Sequence, residues 1–232
     1  GVEVVLPSGE LVRTGLGQIG PWCSHSPLPR LESLFINFHG CTGVVTKLAL
    51  QCFPQRRYRK RMFVLAHDVD HAYALLRRVT REEICDDIGG LGWPIAKLLF
   101  GDPNPVYRDP DEPMLFLFFD VTSNHRKEFA LRLEILAELM AAETSAGGRF
   151  SEPLDIDDLV GVEPMFAKFA DFPTRLDFLL DHPGKGLTWV GTYVPMSRWA
   201  QGVKAALAVM EKHGYPPILV RRPMRRAHFC VL

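Results

Sequence analysis

Residues 34–47 read LFINFHGCTGVVTK, and this stretch points to the fold. An apolar run, Leu34–Phe38, leads into a tight turn, GCTG at residues 40–43, whose glycines allow positive φ angles and close backbone approach. Residues 44–53 (VVTKLALQCF) then predict a β-strand. The stretch therefore predicts a strand that is entered through a glycine turn.

The segment before this turn, Gly1–Gly15 (GVEVVLPSGELVRTG), predicts a β-hairpin. Two β-rich runs, Val2–Leu6 and Leu11–Thr14, flank Pro7–Glu10, where proline and glycine are typical of a turn. The basic residues that follow Pro54 are interpreted as a crossing between two domains. The chain is thus expected to begin with β-structure that belongs to its own domain.

The remainder of the chain alternates predicted strands and helices. Met114–Val121 (MLFLFFDV) is almost entirely apolar, which predicts a central strand buried on both faces. Asn124–Glu143 predicts a long helix, because its apolar residues recur at helical spacing. The other predicted strands are Met62–Ala66, Leu187–Val194, Pro216–Arg222 and Ala227–Leu232, and the other predicted helices are Asp70–Val79, one starting at Thr80, one restarting at Trp93-Pro94, and Ser197–His213. This order predicts an α+β fold, a duplicated ferredoxin-like antiparallel sheet with helices on one face.

The composition argues against several classes of function. Lys plus Arg total 27 and Asp plus Glu total 27, so no broad field attracts nucleic acid or an anionic membrane. Two local basic clusters, at residues 56–61 and 221–226, are interpreted as solvated linker or strand edge. No apolar run reaches the length of a membrane span. Five cysteines without a CxxC pair favour a reducing compartment, and we expect a cytoplasmic protein.

The hairpin and the turn segment together resemble the vanillyl-alcohol oxidase and p-cresol methylhydroxylase family of flavoproteins. Gly1–Gly15 is similar to the family hairpin EVVLPDGEVVRTG, and Leu34–Lys47 is similar to the family segment LF-x-GSEGTLGIVTK. The resemblance implies that residues 1–57 are the C-terminal part of a p-cresol methylhydroxylase-type (PCMH-type) FAD-binding domain. It implies that residues 58–232 are a substrate-binding cap domain, truncated at its C-terminus. Because both ends of the chain are strand-like, we expect a central fragment of a longer protein.

The same resemblance implies that the turn lies along FAD, with cofactor contacts from Gly40, Cys41, Gly43 and Val45. A flavin is planar with polar edges, so backbone groups must approach it closely, and glycine permits this. The positions that depart from the family pattern are Asn37, Phe38, His39, Cys41 and Thr42. These departures bear on the details of flavin contact and not on the fold.

A third stretch, Gly186–Pro195 (GLTWVGTYVP), together with Glu211–Tyr215, resembles the cap of the phenol-oxidising branch of the family. Trp189 and Tyr193 fall on one face of the predicted strand because they are four residues apart. They either line an aromatic substrate pocket or pack in the core, and both interpretations stay open.

Residues 182–186 (HPGKG) bear on the question of a metal. The 2-hydroxy-acid branch of the family carries an HxGDGNxH segment whose histidines hold a divalent metal. Here Lys185, Leu187 and Trp189 stand at its Asp, Asn and second His positions. A metal site needs several converging N or O ligands, so we expect no metal in this protein.

The motifs indicate an FAD-dependent oxidoreductase that oxidises an alcohol or alkylphenol by hydride transfer to the flavin. The sequence does not identify the catalytic residues. The expected partners are a small-molecule substrate and either a second copy of the chain in a homodimer or an electron acceptor. Two alternatives stay open, a 2-hydroxy-acid dehydrogenase of the glycolate or D-lactate type with the same fold, and a non-catalytic ferredoxin-like ligand-binding module.

The expected absence of a metal leads to a first prediction. Oxidation activity of the complete natural protein should survive dialysis against a strong chelator, because one histidine beside Lys185 does not supply a ligand set. Activity that disappears on dialysis and returns with manganese or zinc would place the protein in the 2-hydroxy-acid branch.

Overall fold

A computed structural model describes most of the chain as two units. The described residues are 1–14, 31–36, 38, 40–50, 52–99, 109–162, 164–167, 191–215, 218–224 and 229–231. The units are Gly1–Gln55 and Arg56–Leu232. Trp189, His39 and the HPGKG segment, all singled out from the sequence, lie outside the described residues.

The first unit contains a three-stranded antiparallel sheet. Its elements are β1 (Val2–Val5), β2 (Leu11–Arg13), a 3₁₀ helix (Leu31–Leu34) and β3 (Val44–Leu48), with the strand order β2-β1-β3. The predicted hairpin is confirmed, since Val5 pairs with Leu11 and Gly9 takes a φ of +83° in the turn. The strand predicted over residues 44–53 is shorter than expected and ends at Leu48, where the paired part of β1 ends.

The central strand β1 places an apolar residue on one face and a carboxylate on the other. Val4 is fully buried. Glu3 accepts hydrogen bonds from Nε of Arg13 on β2, at 2.7 Å, and from Oγ1 of Thr46 on β3, at 3.0 Å. Lys47 adds an ion pair at 3.2 Å. The hydrogen bond from Arg13, and then that from Thr46, lowers the pKa of Glu3 to about 2, so an ionised carboxylate ties the three strands together.

The second unit carries seven strands and five α-helices among the described residues. They are β4 (Tyr58–Ala66), α1 (Val69–Glu82), β5 (Cys85–Gly92), α2 (Trp93–Leu99), β6 (Leu115–Ser123), α3 (Arg126–Ser145), β7 (Leu154–Asp155), α4 (Ile156–Val162), β8 (Tyr193–Pro195), α5 (Trp199–Lys212), β9 (Val220–Met224) and β10 (Phe229–Val231). None of the helices that the structure describes combines the length and the apolar composition that crossing a membrane requires.

The sheet of the second unit is antiparallel throughout, with the strand order β7-β4-β6-β5-β9-β10-β8. The path β4-α1-β5-β6-α3-β7 gives the order of a ferredoxin-like unit, with each helix returning the chain across the sheet. The path β8-α5-β9-β10 repeats the first part of that plan, because β9-β10-β8 corresponds to β5-β6-β4. The pairing of β5 with β9 joins the two repeats. The predicted duplicated ferredoxin-like α+β fold is therefore confirmed.

The two faces of this sheet bury two separate cores. On one face α1, α3 and α5 pack against β4 and β6 through residues such as Leu75, Leu136 and Trp199. On the other face Ile95 of α2 and Ile156 of α4 join the smaller core. The prediction of helices on one face holds for the three long helices, and the two short helices on the opposite face are a correction to it.

The helix predicted to start at Thr80 is not present, because these residues end α1. The hydroxyl of Thr80 donates to the carbonyl of Leu76 at 2.6 Å, so it is not available as an N-cap. Glu83 takes the left-handed conformation with φ +53° and closes the helix. The capping-box prediction is therefore wrong, because the residues that were predicted to start a helix end one.

The segment after this helix end is a strand instead of the predicted helix. β5 pairs with β6 along most of its length. Its glycines suit that position, because a Cβ on Gly90 would lie 2.9 Å from Cδ2 of Leu117. Two other strand limits also differ from expectation. β4 begins at Tyr58, inside the basic run that was interpreted as a crossing. β8 begins at Tyr193, so residues 191 and 192 of the predicted strand lie outside it, and residues 187–190 lie outside the described part of the chain.

An ion pair between His71 and Glu143 joins α1 to α3. Nδ1 of His71 lies 2.7 Å from Oε1 of Glu143, whose side chain is 5% exposed. Arg78 approaches the other carboxylate oxygen at 3.6 Å. The hydrogen bond to Glu143, with smaller contributions from Asp68 and Asp70, raises the pKa of His71 above its usual 6.5.

This ion pair predicts a pH-dependent contribution to stability. A raised folded-state pKa gives a contribution that is complete below the unfolded-state value and lost as pH rises through the folded-state value. The free energy of unfolding of the native chain should therefore fall as pH rises above 6.5. The variant His71→Gln should lack that fall, as denaturant titrations at a series of pH values can measure.

The matched control is His125→Gln, which changes an exposed histidine before α3. This control should keep the pH profile of the native chain. A native profile that coincides with that of His71→Gln would show that the ion pair contributes nothing to stability.

Candidate functional site

The glycine turn of the first unit has the backbone geometry that its sequence predicts. Gly40 and Gly43 both take positive φ angles, +81° and +149°. The N–H of Cys41 donates to the carbonyl of Phe38 at 2.9 Å. The chain then enters β3, where Val45 pairs with Val4. Gly40, Cys41 and Gly43 thus lie in one turn, and Val45 lies in the strand that follows it.

The two glycines of this turn differ in what surrounds them. A Cβ on Gly43 would lie 2.6 Å from Cγ1 of Val4 and 2.7 Å from the carbonyl oxygen of Val5. The sheet itself therefore requires glycine at position 43. A Cβ on Gly40 would meet no atom within 4 Å, so Gly40 presents an open backbone surface.

Apolar side chains around the turn are exposed. They are Ile36, Phe38, Val44 and Val45. Val44 and Val45 are consecutive in β3, so they lie on opposite faces of the strand. The turn therefore offers an open backbone position with exposed apolar side chains before and after it in the chain.

Of the two residues predicted to contact substrate, only Tyr193 is described. It begins β8, opposite Val231 of β10, and 65% of its surface is exposed. Within the described part of the chain, no group of three or more His, Cys, Asp or Glu side chains is placed to hold a metal ion.

A charged cluster that the sequence did not predict lies on the sheet face that carries α2 and α4. We call it the arginine row. It consists of Arg59 and Arg61 on β4, Asp120 on β6, Asp87 on β5 and Arg222 on β9. The four strands are adjacent in the sheet, so the row crosses the sheet from strand to strand.

Cations and anions alternate along the arginine row. Asp120 accepts a hydrogen bond from Nε of Arg59 at 2.8 Å and one from Nη2 of Arg61 at 3.0 Å. Asp87 pairs with Nη2 of the same Arg61 at 3.5 Å and with Nη2 of Arg222. The row therefore holds three guanidinium groups and two carboxylates, with a guanidinium at each end.

Burial changes along the row. The side chains of Arg61 and Asp120 are 5% and 7% exposed, whereas those of Arg59 and Arg222 are 50% and 34% exposed. The middle of the row is thus a buried ion pair, and its two ends reach solvent.

The row borders an aromatic part of the smaller core. The guanidinium carbons of Arg61 and Arg222 lie 6.0 Å and 5.8 Å from the ring centroid of Phe118, a distance at which cations are attracted to an aromatic face. Phe63 stacks on Phe116 nearby in the same core, with centroids 4.5 Å apart. Burial lowers the pKa of Arg222, and the neighbouring charge of Arg61 lowers it further.

The sequence did not predict that the members of this row meet. Arg59 and Arg61 belong to one basic cluster and Arg222 to the other, and both clusters were interpreted as solvated. The available signal was the strand period, because Arg59, Arg61 and Phe63 alternate along β4 and so share a face. The carboxylate inside the apolar run, Asp120, was a second signal, since a buried charge requires a partner.

Comparisons with known proteins identify the fold. No family model and no curated protein sequence matches the chain. A solved structure of p-cresol methylhydroxylase with substrate bound aligns with 100% of this chain and 50% of its own, with a TM-score of 0.70 and 16% identity. Two crystal forms of alkyldihydroxyacetonephosphate synthase align with 99% of this chain, with TM-scores of 0.54 and 0.51 and 14% and 13% identity.

The likeness runs through both units, so the chain has the fold that these enzymes share. The chain spans about half the length of the p-cresol methylhydroxylase chain and 44% and 42% of the two synthase chains.

The buried centre of the arginine row predicts a large effect of one substitution. The variant Asp120→Asn removes the carboxylate that lies closer to the buried Arg61, so the free energy of unfolding should fall by about 3–5 kcal/mol, the cost of breaking a buried ion pair. Urea titration of the native chain and the variant measures this difference.

The matched control removes a neighbouring exposed charge. Asp86 pairs with Arg56 at 2.9 Å, and both side chains are well exposed. The variant Asp86→Asn should cost about 0–1 kcal/mol, as surface pairs do. Equal losses for the two variants would contradict the burial argument.

Proposed function

We propose that this chain is part of an FAD-dependent oxidoreductase that takes a hydride from an alcohol or alkylphenol carbon. The observation that carries the proposal is the alignment of one enzyme structure with the whole chain through both units. The two motifs that resemble the flavoprotein family both fall in the first unit and support the same proposal.

The first unit is proposed to contact FAD through Gly40, Cys41, Gly43 and Val45. The residues present fit a flavin, because an open glycine lies beside exposed apolar side chains, and a planar ring with polar edges needs both. When bound, the flavin would accept the hydride, while the protein supplies binding and orientation. Val45 and Phe38 would cover part of an apolar ring, and Gly40 would admit its close approach.

The second unit is proposed to bind the substrate, in keeping with its expected role as a cap domain. Trp189 and Tyr193 remain the proposed aromatic contacts. The proposed substrate is a small molecule. The proposed protein partner is either a second copy of the chain, in a homodimer, or an electron acceptor that takes the electrons from the flavin. We place the protein in the cytoplasm, because its cysteines show no disulfide pattern.

One observation favours a second candidate function, a 2-hydroxy-acid dehydrogenase of the same fold. Such a substrate carries a carboxylate beside the reacting alcohol, and the arginine row supplies guanidinium groups that suit carboxylates. A non-catalytic ligand-binding module would share the sheet but would need no flavin.

Flavin content tests the proposal, and two matched glycine variants test the turn. The complete natural protein should purify with bound FAD, detected by its visible absorbance. Gly40→Ala should lower the FAD content strongly while the protein stays folded. Gly9→Ala is the control, because Gly9 has nearly the same φ, +83° against +81°, and an equally open surrounding.

Each of the two substitutions strains the backbone by about 1–2 kcal/mol, so their effects on stability should match. A protein without flavin that cannot be reconstituted with FAD would overturn the proposal. Equal FAD content in both variants would show that the turn does not contact the cofactor.

A further inference from the structure

The two repeats of the second unit differ in the elements that follow their third strand. In the first repeat, α3 follows β6 and packs in the same core as α1, and β7 then pairs with the outer edge of β4 at Met62 and Phe63. In the second repeat, β10 corresponds to β6 and β8 to β4. Among the described residues, β8 is the last strand of the sheet and pairs on one edge, with β10. The described part of the chain thus places no counterpart of α3 or β7 in the second repeat.

The helices α1 and α5 correspond residue by residue through the side chains that they bury. All of these side chains pack in the core on the face that carries the long helices. The matched pairs are Val69 with Ala200, Ala72 with Val203, Leu75 with Ala206, Leu76 with Leu207, and Val79 with Met210. Because the buried stripes coincide, the flanks of the two helices can be compared position by position.

Helix α1 has two flanks, and each flank contacts a different helix. His71 and Arg78, which are seven residues apart and so share a flank, both approach the carboxylate of Glu143 on α3. On the other flank, Asp70 forms an ion pair with Lys204 of α5. The flank that carries His71 and Arg78 is therefore the flank that α3 covers.

The corresponding flank of α5 is small, uncharged and open to solvent. Gly202 corresponds to His71 and Val209 to Arg78, so both lie on the side of α5 that faces away from α1. Ala205 lies between them and is exposed, and 58% of the surface of Val209 is exposed. We call these three residues of α5 the open flank. Small side chains at a helix contact allow two helix axes to approach closely.

We infer that the open flank and the outer edge of β8 form the docking surface for a helix and a following strand of the complete natural protein. The helix would pack on α5 as α3 packs on α1. The strand would pair with β8 as β7 pairs with β4, in the antiparallel sense. The second repeat would then have the same six elements as the first.

The chemistry of the open flank specifies the side chains of the docking helix. In the first repeat Glu143 is nearly buried between the helices, where His71 and Arg78 offset its charge. Gly202 and Val209 provide no charge, and a carboxylate buried against them would be costly. The docking helix is therefore expected to present small or apolar side chains to α5, instead of a counterpart of Glu143.

Two observations favour a segment of the same natural protein over a second copy of the chain. Pro195 lies in β8, and a proline in an edge strand disfavours pairing between separate molecules. A strand of the same molecule needs fewer pairs, as β7 shows by pairing with β4 at two residues. The p-cresol methylhydroxylase chain also contains as much polypeptide again outside its aligned half.

Thiol labelling at two neighbouring positions of α5 tests the inference. Val209→Cys places a thiol on the open flank. Ala208→Cys is the matched control, because Ala208 is also exposed but points about 100° away around the helix. Both variants are made in the complete natural protein and in the chain Gly1–Leu232. Mass spectrometry of the peptide with residues 205–212, which contains no native cysteine, reports the label, and rates in denaturant give the intrinsic reactivity of each thiol.

The two thiols should behave differently in the complete natural protein. Val209→Cys should react roughly ten-fold or more below its intrinsic rate, because a side chain packed between helices is reached only on local opening. Ala208→Cys should react near its intrinsic rate, and in the chain Gly1–Leu232 both thiols should do so.

Three results would overturn the inference. The first is a Val209→Cys thiol that reacts equally fast in the two proteins, and the second is equal slowing at both positions. The third is protection that disappears on dilution, since a second copy would then cover the open flank. Labelling requires no bound flavin, so a failure here leaves the proposed function standing, and a protein without FAD can still show the protection.

Discussion

The burial of β6 on both faces is the constraint on which the second unit depends. All nine residues of this strand are buried, and it is paired along its length by β4 and β5. Side chains alternate along a strand, so Leu117 and Phe119 point to one face of the sheet, whereas Phe116 and Phe118 point to the other. The long helices cover the first of these faces and the short helices cover the second, so the layering follows from this one strand.

The same strand explains why the charged cluster exists. Asp120 continues the alternation that starts with Phe116 and Phe118, so it points to the face of the smaller core and is nearly buried there. An unpaired carboxylate in that position would cost several kcal/mol. β4 is the direct neighbour, and its Arg61 pairs with Asp120 in register. The arginine row is therefore a consequence of one charge inside an apolar strand.

Much of the fold could be predicted because its signals are local. The hairpin, β6 and the long helix α3 each follow from a short pattern, and the alternation of strands and helices after the hairpin unit predicted the duplication. β5 was missed because Gly89 and Gly90 disfavour a strand by propensity, while the tertiary packing against β6 favours glycine there. The arginine row was missed for a different reason, since Arg222 and Asp87 are 135 positions apart, and sequence alone does not show that two distant charges meet.

The glycine turn shows how a structural requirement and a functional one can be separated. Gly43 matches the family pattern, yet the contacts of its absent Cβ with Val4 and Val5 explain the glycine without any ligand. Its presence therefore adds little weight to the flavin proposal. Gly40 also takes a positive φ, but no neighbouring atom excludes a side chain there. Any L-residue at this position would be strained by the backbone angle and would gain no packing contact. Within the turn, the support for a flavin contact consequently rests on Gly40 and the exposed apolar residues beside it, because the sheet accounts for Gly43.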